Sequence, residues 1–432
     1  MCGIDYDIYK RSRLLSIIQA AAEYFITLLF TTAHLASILN YMNATTAQQG
    51  IIASIASLCS AIQFFSVMFV RKNSSVKAKV IFLNIVNQTV FILLYCLPPI
   101  GISLGFFIFL FFLAYAASAV YSPMRMSWHL SIVYDGVRGR FTADKEIVSL
   151  LGGMLFTKIC GDMLDKYTLA GDTETCFYIF AAVIGGLSAI NFILLVFIKE
   201  PKYDEEQECG EKMTFRRFLE ITVCKKQVRT VALICALWNI ANVTNMFTGA
   251  YITNTLGLSY GFIANLSIVC SLSRALVSRP FGALADRTSW IFMLRLCMCF
   301  VAVGFFINIF CVPENGKILF SVFFVIYNAS LGGIQSSMTN LMLDYVPRSD
   351  RTYAMGINNA FSGICIFVFT CLASVLVDAI EREGNMLFGI AVYPQQLLSA
   401  ISVLILLFNI FLFAPRLMKN GSCENAECCP QG

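Results

Sequence analysis

The sequence predicts an all-α polytopic membrane protein, with twelve transmembrane helices in two pseudo-symmetric six-helix bundles. Its 432 residues are 58% hydrophobic and only 13% charged, about half the charged share of a typical soluble domain. A soluble globule of this size could not bury so much apolar surface, and a disordered chain does not carry it. The apolar residues form long, nearly uncharged runs, which favour helices over the alternating segments of an outer-membrane barrel.

Twelve runs are long enough to cross a bilayer, since a transmembrane helix needs about 20 apolar residues. The predicted spans are approximately 14–39, 48–70, 77–97, 101–124, 141–166, 175–198, 228–254, 259–281, 289–312, 317–343, 353–377 and 394–414. Pro98-Pro99-Ile100-Gly101 predicts a tight turn between the third and fourth spans.

The longest polar segment divides the chain in the middle. Residues 199–227 begin acidic and end basic, which is typical of a linker between two halves. The predicted domains are an N-terminal six-helix bundle at 1–198, the linker at 199–227, a C-terminal bundle at 228–414 and a Cys-containing tail at 415–432.

Lys and Arg are concentrated in alternate loops, which predicts the orientation of the chain. Loops rich in these residues remain in the cytoplasm, so we expect the linker and both termini to be cytoplasmic. The expected location is a cell membrane, either a plasma membrane or a bacterial inner membrane. The net charge is +5, and the strongly charged stretches are short loops between apolar runs. No basic patch indicates a nucleic-acid partner, and the expected surroundings are a lipid bilayer.

The two halves carry a repeat. Gln49-Gly50-Ile51-Ile52-Ala53 opens span two, and Tyr260-Gly261-Phe262-Ile263-Ala264 opens span eight. The same offset separates Arg140 from Arg351, and also Gly152 from Gly363. Equal offsets at three places predict a parallel duplication about an axis along the membrane normal, which in known transporters carries a central pathway.

Polar side chains recur along one helical face in the first and fourth spans of each half. Ionisable groups are costly in hydrocarbon and usually face a cavity or a partner. Glu146 in span five and Arg274 in span eight are added to these polar side chains as charged residues inside spans. The residues predicted to line a cavity are Glu23, Thr27, His34, Ser122, Arg125, His129, Glu146, Trp238, Asn242, Asn245, Arg274, Asn328, Gln335 and Thr339. The alternative is that the isolated amides and hydroxyls make only helix–helix hydrogen bonds.

One loop motif resembles a known family. Gly282-Ala283-Leu284-Ala285-Asp286-Arg287, between spans eight and nine, resembles the G-x-L-A-D-R motif of the major facilitator superfamily. Asp344-Tyr345-Val346-Pro347, followed by Arg351, resembles the end of that superfamily's span ten, and Val137-Arg138-Gly139-Arg140 lies at the matching place after span four. The resemblance implies that spans one, four, seven and ten line a central cavity.

Other positions depart from the superfamily's pattern. In the first half Val67 replaces the motif glycine and Arg71 replaces the aspartate. Leu151-Gly152-Gly153-Met154 lacks the proline of the antiporter motif. The resemblance therefore covers nearly the whole chain without identifying a subfamily or a substrate.

A cytoplasmic gate is the second predicted site. A carboxylate at a helix end can pair with a guanidinium or with a helix N-terminus, and can release that partner in another conformation. The residues predicted to form this gate are Gly282, Asp286, Arg287, Arg140, Asp344 and Arg351.

The motifs do not indicate an enzyme. Gly101-Ile102-Ser103-Leu104-Gly105 and Gly257-Leu258-Ser259-Tyr260-Gly261 fit G-x-S-x-G, but both lie at helix turns far along the chain from either His. The sequence contains no P-loop or dinucleotide fingerprint. We expect no catalytic residue, resident metal or cofactor.

The predicted function is secondary transport of a small polar solute by alternating access. We expect a monomer in which Glu23 carries a coupling proton and Arg125 is its partner or a clamp for an anion. Two alternatives remain open, an exporter of amphipathic compounds and a non-transporting membrane sensor or scaffold with the same fold.

Overall fold

A computed structural model describes residues 9–63, 76–133, 138–200, 226–345, 351–387 and 390–413. Within those residues the chain is almost entirely helical. The helices of the first half are α1 Lys10–Leu28, α2 Thr32–Tyr41, α3 Thr46–Cys59, α4 Val76–Cys96, α5 Leu104–Ser131, α6 Arg138–Leu169 and α7 Thr173–Phe197. Those of the second half are α8 Lys226–Ala241, α9 Tyr260–Arg287, α10 Trp290–Ile309, α11 Gly316–Tyr345, α12 Arg351–Arg382 and α13 Pro394–Phe408. Two short antiparallel strands, β1 Met386–Leu387 and β2 Ile390–Ala391, pair between α12 and α13.

The described helices agree with the predicted twelve-span architecture. Ten are long and apolar enough to cross a membrane, and α1 with α2 forms an eleventh, bent span. The remaining predicted span, 48–70, corresponds to the shorter apolar helix Thr46–Ile62 and then continues into residues outside the described ranges. Many large apolar side chains on the helices are exposed, as expected of surfaces that face lipid; Leu276 and Val375 are examples.

Local chemistry sets several of the helix ends. The predicted turn at Pro98 is present as a short 3-10 segment, Pro98–Ile100, and Gly101 closes it with φ +88°. Thr45 and Gln48 form a reciprocal capping box at the start of α3. Side-chain oxygens of Asp172 and Ser289 accept backbone N–H groups at the starts of α7 and α10.

Two predicted spans are interrupted. The first is not one straight helix, because α1 and α2 meet at a bend of 42°. The hydroxyl of Tyr95 donates a 2.5 Å hydrogen bond to the carbonyl of Leu29 at that break, which satisfies a group that the bend removes from the helix ladder. Span seven continues beyond α8 as a 3-10 turn, Asn242–Met246, and a π-helical turn, Tyr251–Thr255.

The chain forms two compact units. The first comprises residues 1–208 and 258–267, and the second comprises residues 209–257 and 268–432. In the first unit α1 packs closely on α6 at Gly152 and Gly153, where a β-carbon would come within 2.5 Å of the Phe25 ring and 2.6 Å of the Tyr24 ring. Buried aromatic rings such as Phe305 and Phe323, which are tilted at 39° with centroids 5.3 Å apart, pack in the interior of the second unit.

Candidate functional site

The first polar cluster lies in the first unit, between α1 and α5. Arg125 of α5 forms an ion pair with Glu23 of α1, and the two side chains are 15% and 12% exposed. These are the two residues that the sequence analysis places together as a charged pair. An isolated charge at this depth is costly, and the opposite charge of the partner relieves that cost.

Both carboxylate oxygens of Glu23 have further partners. The Tyr121 hydroxyl donates to Oε1 at 2.7 Å, and Gln19 Nε2 donates to Oε2 at 2.8 Å. The Arg125 guanidinium also lies 5.5 Å from the centre of the Tyr121 ring, within cation–π range. Glu23 therefore accepts hydrogen bonds from two side chains and forms an ion pair with a third.

An amide chain continues from this cluster into the helix interfaces. Gln19 Nε2 also donates to Asn191 Oδ1 of α7 at 2.7 Å, and Asn191 Nδ2 donates to Asn84 Oδ1 of α4 at 2.8 Å. Gln19, Asn191 and Asn84 are buried. The site prediction omits all three: Gln19 lies on the polar face of the first span but is not among the predicted residues, and Asn84 and Asn191 lie in the third and sixth spans, from which the prediction takes no residue. The available signal was the presence of amides at regular spacing in the apolar third span, at Asn84, Asn87 and Gln88.

The two histidines are buried in different surroundings. His129 is 2% exposed, and neither ring nitrogen has a hydrogen-bond partner in the structure. Arg125 and Lys145 lie close enough to His129 to interact with it electrostatically. His34 lies in α2 and packs edge-on against Phe180, away from the Glu23–Arg125 pair.

Three other predicted residues of the first unit do not join the ion pair. Thr27 donates to the Tyr24 carbonyl of its own helix. Ser122 is half-buried with no hydrogen bond recorded to the pair, and Glu146 is exposed on α6.

A second polar cluster lies in the second unit, where α8 becomes irregular. The Tyr327 hydroxyl of α11 donates to Asn242 Oδ1 at 2.5 Å, and Asn245 Nδ2 donates to the same oxygen at 3.0 Å. Asn242 Nδ2 donates to the carbonyl of Trp238, whose side chain is buried. Asn328 instead donates to a carbonyl of its own helix, which is not the bond between helices that the alternative describes.

Arg274 and Gln335 are brought together in the same unit. Arg274 Nη2 donates to Gln335 Oε1 at 2.7 Å, joining α9 to α11. The side chain of Thr339 lies outside the described residues.

Most of the residues predicted to form the gate have side chains outside the described part of the chain. They are Asp286, Arg140, Asp344 and Arg351. Arg287 is exposed at the end of α9, and the space around Gly282 is open.

The two clusters offer ionisable and hydrogen-bonding groups inside helices. Among the described residues, no group of His, Cys, Asp and Glu side chains could hold a metal ion. What the first cluster can do is exchange a proton, because protonation of Glu23 would release Arg125 from its only described ion pair. What the second cluster can do is bind polar groups.

The known proteins that the chain resembles are membrane transporters. A family model described as the Major Facilitator Superfamily matches residues 14–370. No curated protein matches the chain. Solved structures that resemble it include a mutant of the nucleoside transporter NupG, with TM-score 0.73, 13% identity and coverage of 93% of this chain and 98% of that one. A D-xylose-proton symporter has TM-score 0.71, 12% identity and coverage of 95% and 99%. A bacterial homolog of the human lysosomal transporter Spinster has TM-score 0.66, 12% identity and coverage of 97% and 98%.

Proposed function

The chain belongs to the major facilitator superfamily, and from this premise we propose that it moves a small polar solute in a cycle coupled to protons. Membership makes it a multi-pass secondary transporter that works by alternating access. In the proposed cycle Glu23 binds and releases the coupling proton, and Arg125 is the counter-charge that responds to it.

The Glu23–Arg125 contact carries this proposal. Ionised Glu23 holds Arg125, while Tyr121 and Gln19 orient the carboxylate through its two oxygens. A proton on Glu23 removes the negative charge and leaves the guanidinium free to take another partner. The cluster then has two states, one with the ion pair intact and one with Glu23 protonated and Arg125 released. Two such states are required if proton binding is to be coupled to solute transport.

Two of the similar solved structures support a polar solute. They are a nucleoside transporter and a D-xylose-proton symporter, and both of those solutes carry several hydroxyl groups. The amides and hydroxyl of Asn242, Asn245 and Tyr327 are suited to such groups.

Counterflow and pH-driven uptake, measured in the same proteoliposomes, test the coupling. The solutes are D-xylose, uridine, D-xylonate and uridine monophosphate. Glu23→Gln is expected to abolish accumulation driven by a pH gradient while exchange across the membrane continues, because exchange requires no net proton movement. Glu314→Gln is the matched control, since it makes the same change at an exposed acid in a loop.

Three results would contradict the proposal. If Glu23→Gln keeps both activities of the parent protein, Glu23 is a structural residue. If the parent moves none of the solutes and the variants differ only in stability, the sensor or scaffold alternative is favoured. Transport of amphipathic compounds in place of these solutes would favour the exporter alternative.

The gate and the orientation complete the proposal. Asp286 would close the cytoplasmic side together with Arg140, Asp344 and Arg351, as the motif resemblance implies. The charge bias of the loops supports a cytoplasmic linker and cytoplasmic termini in a plasma membrane or a bacterial inner membrane. The transporting unit would be the monomer, since each chain contains both halves of the repeat.

A further inference from the structure

Arg274 lies near the middle of its span. The span runs from Tyr260 to Ala285, so Arg274 is about 21 Å along the helix from one end and about 16 Å from the other, at 1.5 Å per residue. An arginine near a helix end can extend its side chain to the membrane surface, but these distances exceed the length of the side chain. Arg274 must therefore face protein or a water-filled space.

The side chain of Arg274 lies across α11. Its Nη2 donates to Gln335 Oε1 at 2.7 Å. The side chain also passes Gly332, where a β-carbon would be in ordinary contact with Arg274, at 3.5 Å from Cγ and 3.6 Å from Nε. The hydrogen bond to the amide at position 335 therefore positions the guanidinium against α11.

No described carboxylate pairs with Arg274. Ion pairs of described residues include Arg125 with Glu23, Lys158 with Asp162 and Arg382 with Asp378, and none of them involves Arg274. The Gln335 amide accepts from one N–H group of Arg274 but carries no charge to balance the guanidinium. Arg125 and Arg274 both lie inside spans, and among the described residues an acid lies against Arg125 but not against Arg274.

Other polar groups stand beside this cation. Tyr327 of α11 lies within electrostatic reach of Arg274 and bonds to Asn242. Gln335 is exposed and Arg274 is half-buried, so neighbouring side chains do not fully enclose the pair. The cluster therefore combines an unbalanced guanidinium with an amide and a hydroxyl suited to sugar-like hydroxyl groups.

We propose that Arg274 binds an anionic group of the transported solute, a carboxylate or a phosphate monoester, while Asn242 and Tyr327 bind its hydroxyl groups. This inference rests on the proposed transport function and narrows its substrate to organic anions. A guanidinium pairs well with both anionic groups because its parallel N–H donors match their oxygens.

Matched probes that differ in charge test the inference. D-Xylose is compared with D-xylonate, and uridine with uridine monophosphate, by their binding affinity and by the melting temperature of the purified full-length protein. The parent protein is expected to bind the anion of at least one pair about 10- to 100-fold more tightly than its neutral partner, the range of a hydrogen bond to a charged group. Arg274→Gln should remove that preference, and Arg279→Gln, at an exposed arginine of the same helix, should retain it.

Gln335→Glu separates binding from folding. It places a carboxylate against Arg274 at the position of the present amide oxygen, and this internal anion competes with the solute. We expect a melting temperature at or above that of the parent, together with loss of the preference for the anion. A purely structural hydrogen bond between Arg274 and Gln335 predicts instead that the preference for the anion does not change.

Several outcomes overturn the inference. They are equal affinity of the parent for charged and neutral probes, binding of none of the anionic probes, unchanged anion affinity in Arg274→Gln, and destabilisation by Gln335→Glu. A parent protein that transports only the uncharged probes, with accumulation that depends on Glu23, would refute the anion site and leave the proposed proton-coupled function intact.

Discussion

Removing the charge of Glu23 should destabilise the first unit by leaving Arg125 without its ion-pair partner. Glu23→Gln keeps the size of the side chain, and its amide oxygen can still accept from Gln19 or Arg125. The loss is therefore mainly the negative charge. Breaking one side of a buried ion pair costs about 3–5 kcal/mol, and the slight exposure of both side chains, 12% and 15%, places the expected value at the lower end. A loss of about 3 kcal/mol is about a 100-fold change in the ratio of folded to unfolded protein.

A double-mutant cycle measures this coupling. Glu23→Gln, Arg125→Met and the double variant are compared with the parent protein by reversible unfolding in detergent. The double variant contains neither charge, so we expect it to recover at least half of the stability that Glu23→Gln loses. Unfolding of Glu314→Gln shows the effect of the same substitution at an exposed site.

Additive effects would refute this reasoning. If the double variant loses the sum of the two single losses, the charges do not stabilise each other and the contact contributes nothing to the fold. If Glu23→Gln alone unfolds like the parent, water already balances Arg125, and the cluster is more hydrated than its exposure indicates.

Four further predictions concern the gate, the orientation, the helix packing and a helix start. Asp286→Asn should increase labelling of engineered cysteines from the cytoplasmic side and slow transport; unchanged labelling with normal transport would exclude a gating role. A reporter active only in the cytoplasm should function when fused after Gly432, and activity only of an exported reporter would reverse the proposed orientation. Gly152→Leu should destabilise the α1–α6 contact by about 1–3 kcal/mol, because a β-carbon there already meets the Phe25 ring at 2.5 Å; Gly186→Leu, where the space is open, should have little effect on unfolding. Asp165 accepts from the backbone N–H groups of Tyr260 and Gly261, each at 2.6 Å, so Asp165→Ala should speed hydrogen exchange of both amides and cost about 1 kcal/mol; unchanged exchange would show that the cap is not formed.

The sequence by itself determined the class of the protein and the number of its spans. Length and hydropathy of each run decide whether a helix can cross a bilayer, and neither depends on the neighbouring helices. The same is true of the turn at Pro98, where the local backbone restriction of proline and glycine is sufficient. The Glu23–Arg125 contact could be anticipated because a charge inside a span requires a partner, and few opposite charges are available.

Only the tertiary structure decided which amides take part in the first cluster. Gln19, Asn191 and Asn84 are separated by 172 and 107 residues along the chain, and a polar residue in one helix does not indicate which helix it will face. The bend between α1 and α2 is similar, because the carbonyl of Leu29 is satisfied by Tyr95, 66 residues away. Helix periodicity fixes the face on which a side chain lies, whereas its partner is chosen by the packing of the other helices. The sequence also could not show which polar group meets Arg274; in the described part of the chain it is the amide of Gln335, 61 residues away, and not an acid.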